Sequence, residues 1–251
     1  MQRIKTMPRR DLLAIGLSLG GITLLSWLYL LSMAENMSQG MSAMPTPLWD
    51  ANYFLMMFLM WAVMMVGMML PSVAPTVLIY AAIARKSTAD GMPVAPVGAF
   101  VSGYLVMWVA FSLLATTAQW GLDRAALLSP MMVFRDTGFI ASLLIVAGIY
   151  QWLPIKDQCL HQCRSPVEFI TTQWRKGRMG AFRMGLYHGM FCLGCCWVLM
   201  TLLFVGGVMN LLCIATLTLF VLLEKILPLG DKGGRALGLL MVVTGLIIAL
   251  T

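Results

Sequence analysis

Sulfur is the most heavily represented reactive chemistry in this chain. Of 251 residues, 23 are methionine and six are cysteine, and each of the two histidines lies within four residues of a cysteine. Thiolate, thioether and imidazole together are the donor set of Cu(I), zinc and iron–sulfur centres. The densest group reads His188-Gly-Met-Phe-Cys192-Leu-Gly-Cys195-Cys196-Trp197-Val-Leu-Met200. Neighbours on a helix recur at i+3 and i+4, so His188, Cys192, Cys196 and Met200 form one stripe with Cys195 beside it. An imidazole and two thiolates one turn apart would nearly complete a trigonal or tetrahedral soft site, given one ligand from a facing helix. Buried cysteine also serves as a small apolar filler. Three cysteines and a histidine on one helical face favour a site over filler.

A second group, Cys159-Leu-His161-Gln-Cys163, sits between Lys156 and Arg164. If this stretch is helical, Cys159 and Cys163 meet across one turn and His161 faces away; if it is a turn, all three converge. The flanking cations favour thiolate, and a reducing cytosol disfavours a structural disulfide. A metal clip or relay is the expectation. Cys213 is isolated and reads as core.

Methionine is concentrated in one segment. Met56, Met60, Met64 and Met68 are spaced by four, and Met57, Met65 and Met69 run parallel to them. Thioethers are neutral, so such a ladder can line a low-dielectric path that carboxylates could not. Adaptable apolar packing is the alternative use of the same residues. Pro71 and Pro75 follow and are expected to break or kink the helix, freeing carbonyls that protein, water or a ligand must satisfy. Met33, Met37, Met41 and Met44 continue the pattern through the segment 34–50, read as a Met-rich outer loop that captures metal or simply spaces two helices.

The elements that must position these residues follow from composition. The chain is 60% hydrophobic and 11% charged, against roughly 45–50% and about 25% in soluble domains. A spanning helix needs about 20 mostly apolar residues, and seven stretches qualify or nearly do: 12–33, 51–84, 94–120, 138–153, 183–205, 208–227 and 235–251. Continuous apolar character without period-2 alternation favours helices over a barrel. The expected fold is therefore all-α, a single polytopic transmembrane bundle of about seven helices over residues 1–251. With a cytoplasmic N-terminus, all 17 Lys and Arg except Arg124 and Arg135 fall on the cytoplasmic side, as the positive-inside rule asks. Residues 154–180 become a cytoplasmic loop. The first apolar run is longer than the usual 7–15 residues of a signal-peptide core, so an uncleaved first helix is expected. The net charge of +7 reads as topology, and scattered basic residues exclude a compact nucleic-acid surface. Glu224 and Lys225 close the sixth stretch and read as an interfacial ion pair or snorkelling residues. Gly185 and Gly189, spaced small-xxx-small, predict close helix packing. No Gly-rich phosphate loop with Lys-Ser or Lys-Thr marks an ATPase.

Two segments carry a family resemblance. Met60-Trp61 through Met64-Met65-Val-Gly-Met-Met-Leu-Pro71-Ser-Val-Ala-Pro75 to Tyr80, and Gly189-Met-Phe-Cys192-Leu-Gly194-Cys195-Cys196-Trp197-Val-Leu-Met200, resemble the bacterial family of predicted metal-binding integral membrane proteins, a domain family of unassigned function. The resemblance covers the chain from about Ala51 to its end and implies metal binding, without a transport mechanism.

The expectation is then a multi-pass protein of the bacterial inner membrane that binds, and transports or relays, a soft metal ion. Cu(I) fits the donor set best, and Zn(II) is also compatible. The membrane lipid and a metallochaperone or metalloenzyme are the expected partners. Two alternatives share the residues: a membrane thiol–disulfide oxidoreductase using the Cys-x-x-Cys of Cys192 and Cys195, and an assembly factor delivering metal to an enzyme. No catalytic residue is assigned.

Overall fold

The computed structural model describes residues 8–40, 49–89, 96–129, 132–227 and 230–250. Among them the regular elements are helices: α1 (Arg9–Gly40), α2 (Ala51–Ala89), α3 (Val97–Arg124), α4 (Thr137–Tyr150), α5 (Pro154–Arg164), α6 (Pro166–Thr172), α7 (Gly177–Thr201), α8 (Leu203–Gly206), α9 (Leu211–Ile226) and α10 (Gly230–Leu250). The fold is all-α, as its apolar runs predict. Five helical stretches, within α1, α2, α3, α7–α8 and α10, are long and apolar enough to cross a membrane. The fourth and sixth predicted spans come out shorter than a crossing. α4 has 14 residues and α9 has 16, against the 17–25 that a bilayer needs. α4 continues through a 63° bend into α5, and that pair makes a sixth crossing only if counted as one broken span.

α2 packs between α1 and α3, α3 lies along α7, and α10 lies along α4. The α3–α7 contact is backbone to backbone. A Cβ added at Gly185 would overlap the carbonyl of Phe100, and one at Gly103 would overlap that of Phe182. The small-xxx-small spacing of Gly185 and Gly189 thus brings two helices within side-chain-free distance. Gly185→Ala is expected to cost about 1–3 kcal/mol, because the intruding atom meets backbone that cannot change rotamer. Gly20→Ala, where a Cβ meets nothing within 4 Å, should leave stability close to wild type. Thermal unfolding in detergent separates the two.

Three expectations change at the level of elements. Of the break or kink expected at Pro71 and Pro75, the break does not occur: α2 stays helical through both. The carbonyl of Met69, in the turn that Pro71 disturbs, accepts from the Tyr104 hydroxyl at 3.1 Å and the Ser72 hydroxyl at 2.9 Å. α1 runs to Gly40, so Met33 and Met37 belong to a helix; Met41 and Met44 lie outside the described residues. Residues 154–180 form α5, α6 and the start of α7, with Lys156, Leu160 and Cys163 buried. The polar composition suggested a loop, but Pro154 at the first helical position and the apolar spacing of one face let α5 fold back along α7.

Candidate metal centre

α7 presents His188, Cys192, Cys195, Cys196 and Met200 inward, and all five side chains are buried. The helical stripe read from spacing is therefore a single internal face. Cys192 is its centre. Its Sγ lies 2.9 Å from the ammonium of Lys225 on α9 and 3.1 Å from the Tyr104 hydroxyl on α3. The thiols of Cys195 and Cys196 donate back to the Cys192 carbonyl, at 3.0 and 2.8 Å.

α5 brings in the second cysteine group. Cys163 is buried where α5 packs along α7, near enough to Cys192 and Cys195 to interact with both. Cys159 packs against Gly194, where an added Cβ would sit 2.7 Å from its Sγ. The two cysteine groups, expected at separate levels, form one cluster. The bend between α4 and α5 is the reason, since it turns α5 onto α7. His161 follows the helical alternative: it is exposed and points away from Cys163. The thiols of the cluster are graded in access. Cys192, Cys195 and Cys196 are fully buried, Cys163 is nearly so, and Cys159 is half-buried.

His188, one turn before Cys192, is enclosed by the rings of Phe169, Phe100 and Tyr104. Its Nδ1 is buried without a hydrogen-bond partner. Buried ring nitrogens are ordinarily paired, so this one is open to a ligand. Met60, Met64 and Met68 are buried in the core between helices, whereas Met56 is exposed.

Sequence reasoning missed the cations. Lys225 does not face outward as a snorkelling residue would: it is buried, and its Nζ contacts Cys192 Sγ and, at 3.0 Å, Ser72 Oγ. Glu224 is buried too and paired with Lys156, whose Nζ also donates to Gln151. Lys156 and Lys225 therefore lie inside the helix packing, and the charge bias that suggested the topology rests on the remaining basic residues. Lys225 closes an apolar stretch, where an ionisable residue is a candidate for function, whereas Lys156 lies in a polar segment that carried no such signal.

Among the described residues, no three His, Cys, Asp or Glu side chains stand arranged to hold a metal ion as they lie. The thiols are engaged instead with Lys225, Tyr104 and the Cys192 carbonyl. The donor chemistry nonetheless fits a soft ion. Cys192, Cys195 and Cys196 share one buried face of α7 with Cys163 of α5 nearby, the Lys225 ammonium stands beside Cys192, and cysteine needs only a χ1 rotation to redirect its sulfur.

The bundle thus combines apolar, membrane-length helices with a buried group of cysteines beside a buried lysine. Residues 58–248 match the PpoB2 family, described as copper chaperone, and the chain belongs to that family. No curated protein and no solved structure matches it.

Proposed function

We propose that the protein is a membrane-embedded copper chaperone of the bacterial inner membrane that holds Cu(I) at the Cys192 cluster and hands it to an acceptor protein. The contact of Cys192 with Lys225, among buried cysteines of two helices, carries this reading. Cu(I) prefers soft thiolate ligands. Two thiolates around one Cu(I) carry a net charge of −1, which is costly in a low-dielectric interior unless compensated. The ammonium of Lys225 supplies that compensation, so the loaded site would be neutral overall.

Movement then follows from the graded burial of the thiols. Cu(I) exchanges ligands without redox change: one Cu–S bond forms as another breaks. Cys192, Cys195 and Cys196 hold the ion in the interior, Cys163 accepts it at the next step, and half-buried Cys159 presents it toward the edge. His188 Nδ1 and the Met200 thioether are supplementary donors on the same face of α7. The Met60, Met64 and Met68 row packs α2 into the core and offers a neutral path through it. Family membership supports copper handling over the thiol–disulfide oxidoreductase that the Cys192–Cys195 spacing also suggests.

Elemental analysis of protein purified under reducing conditions tests the proposal. Copper is expected to co-purify with the wild type and to be absent from the Cys192→Ser/Cys195→Ser/Cys196→Ser variant. Copper held at wild-type stoichiometry by the folded variant rejects the cluster as the site.

A further inference from the structure

Far from the thiols, two methionine sulfurs face one point. Gln119, near the end of α3, is buried, and its Nε2 lies 3.1 Å from the Sδ of Met132 and 3.6 Å from the Sδ of Met57. The amide orientation is fixed independently. The indole Nε1 of Trp61, which can only donate, sits 2.6 Å from Gln119 Oε1. The NH2 end must therefore be the end that meets the sulfurs. All four side chains are buried.

The three elements that build this point converge at one end of the bundle. Met57 lies in the second turn of α2, Gln119 near the last turn of α3, and Met132 in the connection from α3 to α4. Met132 adopts φ +57, a left-handed backbone that ordinarily selects Gly, Asn or Asp. Its amide donates to the Ser129 carbonyl at 2.8 Å, and its side chain is buried. Met69, whose carbonyl is bonded by the same Tyr104 hydroxyl that contacts Cys192, is 12 residues along α2 from Met57. At 1.5 Å per residue the two locations are about 18 Å apart.

We propose that Met57 and Met132 form a second, thioether-only site for a soft monovalent cation, with Gln119 as the placeholder that keeps their lone pairs directed in its absence. Thioethers are weak hydrogen-bond acceptors, so exchanging two N–H···S contacts for two metal–sulfur bonds costs little. The metal–sulfur bonds form as the NH2 end draws back with Oε1 still accepting from Trp61, and no proton or electron moves. A hard cation would gain nothing from neutral sulfur, so the site selects Cu(I) or Ag(I) over Mg²⁺, Ca²⁺ or Zn²⁺. With no anionic ligand the site binds more weakly than the thiol cluster, which suits capture and onward release rather than retention. This inference rests on the proposed copper-handling role only for the identity of the ion carried.

The test is an Ag(I) titration of the full-length protein labelled with 13C at the methionine methyls, in nanodiscs, Ag(I) being a diamagnetic soft monovalent probe. The Met57 and Met132 methyl resonances, assigned from Met57→Leu and Met132→Leu, are expected to shift together and saturate. Either substitution should weaken Ag(I) binding there by more than about tenfold while leaving the other methionine signals in place. The same shifts should persist in Cys192→Ser, which removes the thiol site. Methyl groups of Met57 and Met132 that stay unmoved at saturating Ag(I), or only one of which moves, overturn the inference. If they shift while wild-type protein and Cys192→Ser bind equal total Ag(I), the thioether site stands and the proposal for the cluster fails.

Discussion

Cys192→Ser is expected to lower Cu(I) affinity by more than about 100-fold, beyond the 10–100-fold typical of changes to groups that only support a ligand. Met60→Leu, Met64→Leu or Met68→Leu should each leave affinity nearly unchanged. Cys192 is the residue on which the site converges: Lys225 and Tyr104 contact its sulfur, and the Cys195 and Cys196 thiols donate to its carbonyl. Serine can take over the hydrogen bonds from Lys225 and Tyr104, so the fold should survive. Its hydroxyl is hard and remains protonated, and so cannot replace a thiolate toward a soft ion. The ladder methionines are buried among apolar neighbours, where leucine has nearly the same volume and usually costs less than about 1.5 kcal/mol. They are also redundant, since two rows run along α2. Competition titration against a chromogenic Cu(I) chelator, in detergent or nanodiscs, measures each variant. Wild-type stoichiometry and affinity in both Cys192→Ser and Cys196→Ser would make the cluster structural.

How much of this was legible in the sequence differs by residue. The apolar runs of α1, α2, α3, α7 and α10 announced membrane-length helices through length alone, a property local to each segment. The inward stripe on α7 was equally local, because helical periodicity places His188, Cys192, Cys196 and Met200 on one face before any partner is known. What the sequence concealed is where a second element lands. Lys156-Asp157-Gln158 is polar enough to suggest a loop, and only the bend after Tyr150 puts Cys159 and Cys163 against α7. Lys225 stands at the end of an apolar run, where a charge is as readily interfacial as buried. Its placement depends on α9 approaching Ser72 and Cys192, two contacts separated from it by 153 and 33 residues. The meeting of Met57, Gln119 and Met132 is likewise tertiary. Met57 was visible as one of a row, but Gln119 and Met132 sit in segments with no sulfur pattern of their own.

The largest effect on stability is expected at Lys156 and Glu224. This ion pair is buried between α5 and α9, with the Gln151 side chain as a third partner. α10 is shaped around it: a Cβ at Gly234 would come within 2.5 Å of Glu224 Oε1 and 3.3 Å of Lys156 Nζ. The neighbouring Arg235–Asp157 pair, at 3.2 Å, and the Trp152 indole bonded to the Arg235 carbonyl at 3.1 Å hold α10 in register at the same corner. Removing one charge leaves the other buried without its partner, so Lys156→Met or Glu224→Leu alone should cost about 3–5 kcal/mol. Removing both leaves no orphan charge, and the Lys156→Met/Glu224→Leu variant should recover most of that loss. The recovery distinguishes a pair whose members need each other from two residues that merely fill space, for which the losses would add. Because α5 also carries Cys159 and Cys163, each single variant should loosen their contact with α7 and raise their reactivity toward a thiol reagent, and the double variant should restore protection. A thermal-unfolding double-mutant cycle, run with maleimide labelling kinetics on the same samples, reads both. Additive losses would show that the two charges act independently of each other.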